Sequence, residues 1–249
     1  SNNIIAVTTT ANNAVNTWTA ADITDTTGGF TGTYGGTAGV NSIRFNTAAT
    51  STVTIGATTP LNVINGGLLV TPNVGANNAS ITGGVLTSGN IVSGTVSGNE
   101  LIVHQLNSTQ PFTIASTIAN SPVTGLALAL TKAGAGTLVL SGNNNVSYTG
   151  NTSINEGTLR VVGGNALGDL STVILANKLN AVLDINGTTE TIGSLSGGGL
   201  LGSTVTAGIV TGAITVGGTV AIGAGNLTIN QTGSTTYSGQ ITGNGSLTV

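Results

Sequence analysis

The sequence predicts an all-β chain wound as a right-handed parallel β-helix, a β-solenoid of about 20–24 residues per coil. Three observations carry that reading. The composition favours strands and turns over helices. Apolar and polar residues alternate in short runs. One unit restates itself at a fixed interval.

Composition comes first. The chain has 249 residues, of which only 4% are charged, against about a quarter in an ordinary soluble domain. Glycine numbers 40, threonine 45, asparagine 28 and serine 20. Threonine suits a pleated surface, while glycine and asparagine suit tight turns. The strong helix formers Glu, Lys, Gln and Arg are sparse and Met is absent. Net charge is −3. No basic cluster offers itself to nucleic acid or to an anionic membrane surface. With no cysteine there is neither a disulfide framework nor a thiolate metal site. The apolar run Gly125–Leu130 is far short of the roughly 20 residues that span a bilayer, so no membrane span is expected in this segment.

Alternation gives the elements and their facing. Leu138 and Leu140 share one side, with Val139 on the other. Leu159 and Val161 flank Arg160, and Leu183 and Ile185 flank Asp184. Ile214 and Val216 flank Thr215. Leu227 and Ile229 flank Thr228, and Leu247 and Val249 flank Thr248. The expected core ladder is therefore Leu138, Leu140, Leu159, Val161, Leu183, Ile185, Leu227, Ile229, Leu247 and Val249. Leu101 and Val103 face inward in the same way, which turns His104 outward. Glycine- and asparagine-rich turns bound each run.

Repetition supplies the topology. "GTLVL" at Gly136–Leu140 returns as "GTLRV" at Gly157–Val161, so Leu138 and Leu159 stand 21 residues apart. A strand, a turn, Tyr-x-Gly, a strand, a glycine and a strand recur around Tyr148 and around Tyr237. A period near 20 means coils that bury their apolar side only by stacking. Leu159 then lies over Leu138 in the next coil, with the backbones paired in parallel. Parallel pairing needs a long connection, and crossovers are right-handed by strong preference.

Residues 1–45 read differently from 46–249. Trp18, Phe30, Tyr34 and Phe45, four of the seven aromatic residues, lie there with Asp22 and Asp25. A solenoid must close its first coil, so this stretch is expected to cap the repeats, with Trp18 as the plug. At the other end "GSLTV", Gly245–Val249, stops on a strand. Trp18, Leu247 and Val249 are candidate assembly ends. Either further repeats of a longer chain follow, or copies stack head to tail as a homopolymer.

Residues Leu130–Asp169, "LTKAGAGTLVLSGNNNVSYTGNTSINEGTLRVVGGNALGD", resemble the autotransporter-associated β-strand repeat. Its pattern runs L-T-K-x-G-x-G-T-L-x-L-S-G-x-N-x-Y-x-G, followed by G-T-L. Leu130, Lys132, Gly134, Gly136, Leu138, Leu140, Ser141, Gly142, Tyr148, Gly150, Gly157 and Leu159 match, with one Asn inserted before the Tyr. Other segments, such as "NSIRFNTAATSTVTIG", are similar to large repeat proteins of this kind from planctomycete-like bacteria. The resemblance implies a secreted or surface-bound β-helix of passenger domains and fibrous adhesins. It implies no catalytic residue, because the motif is structural.

Candidate chemistry is thin. His104 is the one histidine and faces outward. Asp169 and Glu190, 21 apart, are the one carboxylate pair that coils could bring into register for glycoside chemistry. "GGNALGD" is a single degenerate copy of a calcium-loop pattern, and one copy cannot supply six or more oxygens. Lys132, Glu156 and Lys178 are spaced by 24 and 22, and Arg160 and Asp184 by 24. Coil spacing would stack these as inter-coil charge pairs. The expected function is a secreted, non-enzymatic structural solenoid: a surface rod, filament subunit or adhesin stalk with no cofactor. Two alternatives remain open. One is an adhesin module that binds cell-surface polysaccharide, with Tyr148 and Tyr237 as an aromatic platform. The other is a degenerate β-helix polysaccharide lyase or hydrolase. Localisation is expected outside the cell or on its surface.

Overall fold

In a computed structural model of the chain, the structure describes residues 10–11, 18, 23–26, 31–35, 39–92, 95–97, 99–121, 125–201, 204–206, 209–211 and 215–249. Asp22, Phe30 and Ile214 lie outside these residues. The described chain is strand and turn, with one 3-10 turn at Pro72–Val74. No helix among the described residues is long and apolar enough to cross a membrane.

Successive coils stack three faces. The first runs through Thr10–Ala11, Ile23–Thr26, Val40–Phe45, Leu61–Val70, Glu100–Gln105, Ala129–Ala133, Thr152–Ile154, Thr172–Leu175 and Ser194–Gly197. The second holds nine strands, from Thr31–Tyr34 to Gln240–Gly243. Every pairing on these two faces is parallel. The fold is a parallel β-solenoid. Leu138 pairs with Leu159, and Leu159 with Leu183, so like residues lie on like rungs. Parallel pairing runs through Phe45 in both directions along the chain.

Coil length is set by what the corners carry. The register advances 21 residues from Leu138 to Leu159, 24 on to Leu183, 37 on to Val220 and 21 on to Ile241. The long coil contains antiparallel excursions, Gly199–Leu201 with Thr215–Gly217 and Thr204–Thr206 with Ile209–Thr211. The step of 33 from Ile81 to Ile114 likewise contains the antiparallel pair Asn90–Val92 and Thr95–Ser97. A solenoid tolerates these because the loop leaves the stack and the strands on either side keep their neighbours.

One continuous apolar core runs from Trp18 to Ile229. Trp18 is buried beside Tyr34, ring centroids 6.2 Å apart, and Phe45 meets Phe112 at 5.0 Å. Leu138, Leu140, Leu159, Val161, Leu183, Ile185, Leu227 and Ile229 are buried. Leu247 and Val249 differ. Leu247 pairs with Leu227, yet Leu247 and Val249 are 43% and 77% exposed. Only one coil packs against their rung.

The third face is built in two ways. Toward the N-terminus, Leu61–Asn62 pairs with Leu86–Thr87, and Val85–Leu86 with Thr117–Ile118. Toward the C-terminus, Thr189–Ile192, Asn226–Ile229 and Ser246–Thr248 pair in turn. Between these ladders the two intervening coils carry no strand on this face.

Candidate functional site

The chemistry-bearing side chains gather where the strand ladders stop, and they work as bridges between coils. On the third face, Asn144 stands in the first missing rung, fully buried. The Ile118 amide donates to its Oδ1 at 2.7 Å, and its Nδ2 donates to the Ala166 carbonyl at 2.7 Å. One coil further, the Ala166 and Leu167 amides donate to Glu190 Oε2 and Oε1 at 3.2 and 3.1 Å. A side-chain amide and a carboxylate thus replace backbone rungs. They satisfy groups that burial would otherwise leave unpaired.

Glu190 is 1% exposed. Burial pushes its carboxyl up to about 7; the Leu167 and Ala166 amides oppose this, and Asp169 adds to it. Burial also raises Asp169. The sequence carried a signal for Glu190, which shares parity with Ile192 in the strand Thr189–Ile192, and parity alone turns it inward. The carboxylate pair considered for sugar chemistry is divided accordingly. Glu190 is spent on two backbone amides inside the coil, and Asp169 is partly exposed.

Beneath the interrupted face lies Tyr148, fully buried. Its hydroxyl meets Thr152 Oγ1 at 2.9 Å. Thr152 Oγ1 meets Ser171 Oγ at 2.7 Å, and Ser171 donates to the Gly150 carbonyl at 2.7 Å. Burial pushes the phenol up to about 12. The hydroxyl of Tyr237, partly buried at the matching repeat position, lies 3.0 and 3.1 Å from the carbonyls of Gly218 and Gln240, either of which can accept its one hydrogen. Neither ring forms an exposed platform: Tyr148 fills the core, and the Tyr237 hydroxyl is tied to a corner.

Lys132 is the other inward charge. It lies on a core rung between Val103 and Ile154 and is fully buried. Its Nζ donates to the carbonyls of Ala133 at 3.0 Å, Gly134 at 2.6 Å and, one coil on, Glu156 at 2.8 Å. Three acceptors match the three ammonium hydrogens. Burial pushes its pKa down to about 8, with Glu156 acting the other way. Gly157 makes room: its φ is +72°, and a Cβ there would sit 2.8 Å from Nζ and 2.4 Å from the Gly134 carbonyl. At Gly136 a Cβ would sit 2.2 Å from the Asn107 carbonyl of the preceding coil. The repeat's lysine and these two glycines are thus devices for bringing coils into contact.

The remaining predicted residues lie outside. Arg160 and Asp184 occupy the same register position and pair at 2.8 Å between Nε and Oδ2. Glu156 Oε1 accepts from Asn180 at 3.3 Å, and Lys178 is exposed. His104 is exposed on the first face. Toward the N-terminus the outer side of the second face is a hydroxyl surface, with Thr52 paired to Ser80 at 3.0 Å and Thr54 to Thr82 at 3.3 Å. Among the described residues no three His, Asp or Glu side chains gather as a metal-binding group.

Lys132, Asn144 and Tyr148 fall within the stretch that comparison with known proteins singles out, and Glu190 lies beyond it. Residues 130–161 match the passenger-associated transport repeat family. The chain is also 41% identical over 150 residues to the adhesin BmaC autotransporter of Brucella suis biovar 1 (strain 1330). That match takes in 58% of this chain and 4% of the relative, so the chain spans a small fraction of the length of that protein. No solved structure matches it. The relative's class implies a place outside the cell or at its surface. The matched repeat at 130–161 is thus set in a stack of parallel coils, and the chain is similar over this stretch to autotransporter-associated repeat proteins.

Proposed function

We propose that the chain is a length of a cell-surface adhesin stalk, a rod whose work is reach and persistence rather than catalysis. The carrying observation is the unbroken stack of nine parallel strands on the second face. At about 4.8 Å per rung it contributes roughly 40 Å of rise. The buried bridges at Lys132, Asn144 and Glu190 support the same reading, because each ties one coil to the next. The named role of the Brucella relative as an adhesin agrees with it. The test is a ruler. One to five copies of the chain are placed between a bacterial surface anchor and a tip epitope, and epitope height is measured by electron microscopy. Height should rise by about 4 nm per copy. No gain in height would overturn the reading.

The finer proposal concerns the rung Gln240–Gly243 and Ser246–Thr248. Ile241, Leu247 and Val249 are exposed there beside a groove that also takes in Leu195, Ile229 and Tyr237. We propose that this rung is covered in the assembled protein, by further repeats of the same chain or by the Trp18 end of a second copy. Sedimentation of the 249-residue chain separates the two: concentration-dependent growth supports self-stacking, and a monomer at all concentrations supports continuation within one chain.

A further inference from the structure

A second feature of the stack is a notch, and its origin is a mismatch in corner length. Between the third and first faces, the coil at Ile192–Ser194 turns with Gly193 alone. A Cβ on Gly193 would sit 2.5 Å from the Leu170 carbonyl of the coil before, so this corner is held tight. The corners on either side are longer. One carries Gly168–Ser171 and places Leu170 at the surface, 67% exposed. The other carries Asn230–Thr236. A short rung between two long ones leaves a cleft of about 320 Å³, lined by Leu170, Thr172, Ser194 and the Asn230–Thr235 segment.

Its walls are fixed before any ligand arrives. The Asn230 amide donates to the Ile192 carbonyl at 2.9 Å, and the Gly197 amide donates to the Thr236 carbonyl at 3.1 Å. The Thr235 hydroxyl lies 2.8 Å from both the Leu195 carbonyl and Gln231 Oε1. Asn230, Thr232 and Ser234 are exposed and make no side-chain hydrogen bond among the described residues. They face solvent as free donors and acceptors on a held frame, which lowers the ordering cost of binding.

We propose that this notch binds a neutral polysaccharide segment. Its lining holds amides, hydroxyls and one aliphatic surface, and no charged residue. Amides and hydroxyls pair with sugar hydroxyls in both directions, as donor and as acceptor. Leu170 offers the apolar surface that covers the C–H side of a sugar ring. An anionic glycan finds no cation in the lining and meets a chain of net charge −3. The volume sits at the small end of ligand sites, which run from about 300 to 1,000 Å³. This goes beyond the stalk reading, and the two fail separately, since the height measurement does not depend on any ligand.

The experiment uses the full 249-residue chain with maltotetraose, cellotetraose, laminaritetraose and mannotetraose, and tetragalacturonate as the anionic probe. Binding is read by saturation-transfer NMR and calorimetry. At least one neutral probe should bind saturably, with a Kd of about 1 mM or tighter. Leu170→Asp and Ser234→Trp, both at exposed positions, should each weaken it at least about tenfold with the melting temperature unchanged. Thr54→Asp on the second face should leave binding as it is. Failure of all four neutral probes at about 10 mM, binding that survives both notch variants, or preference for tetragalacturonate would each overturn the proposal.

Discussion

The two constructions of the third face teach different lessons about how a solenoid is held. Near the N-terminus, Leu61–Asn62, Val85–Thr87 and Thr117–Ile118 pair backbone to backbone. In the middle, Asn144 and Glu190 reach across instead. A backbone rung is generic, since any residue of suitable volume supplies the same N–H and C=O. A side-chain rung is specific, because it depends on one amide or one carboxylate. The middle stretch should therefore tolerate polar-to-apolar change far worse than the N-terminal ladder tolerates apolar trimming.

The largest contrast comes from removing a bridge. Glu190→Leu strands the Ala166 and Leu167 amides in the core, and unsatisfied buried donors cost about 1–3 kcal/mol each. We expect a loss of about 4 kcal/mol in denaturant unfolding. Ile118→Val, on a backbone-paired rung, should cost about 1 kcal/mol. Equal losses would remove the distinction between the two constructions.

pH sharpens the comparison, because among the described residues only the middle stretch uses a buried carboxylate bridge. The Glu190 pKa stands near 7 in the folded chain, above its usual 4.5. Its contribution to stability is thus full below about pH 4.5 and is lost as pH rises through 7, an amplitude on the order of 3 kcal/mol. Lys132 runs the other way. Its folded pKa, near 8, lies below the usual 10.5, so its contribution grows as pH rises from about 8 toward 10.5. Melting temperature should pass through a minimum near pH 7–8. Glu190→Gln should flatten the acid limb and leave the alkaline one.

Smaller effects follow at the edges of the bridged stretch. Tyr148→Phe deletes one hydroxyl from the chain through Thr152 and Ser171, and should cost about 1 kcal/mol. On the outer face, Arg160→Ala removes an ion pair with solvent access and should cost less than about 1 kcal/mol. Val139→Asp, facing outward, should be tolerated. Leu138→Asp and Leu159→Asp place a charge in the dry ladder and should open their coils to protease. Equal digestion of all three would contradict the facing of this strand.

Much of the stack was legible because alternation and period are read directly from residue types. The spacing of 21 between Leu138 and Leu159 is the register step itself. The spacing of 24 between Arg160 and Asp184 is one coil on the outer face. The inward charges were harder. Parity puts Lys132 with Leu130, and Glu190 with Ile192, on the buried side. Residue type argues the other way, since an unpaired charge does not survive burial. What decides between them is a set of backbone carbonyls and amides at the next coil's corner, and no single sequence displays those partners. The excursions in the 33- and 37-residue coils were hidden for a different reason. Their glycine, serine and threonine content is that of the rungs themselves.

Amide hydrogen exchange at Ala166 and Leu167, compared between the native chain and Glu190→Ala, tests the bridging account most directly. We expect both amides to exchange at least about tenfold faster in the variant. Val53 and Ile81, on the backbone-paired second face, should keep their rates. Unchanged protection at Ala166 and Leu167, or acceleration spread evenly over the whole stack, would contradict the claim that Glu190 stands in for a missing strand.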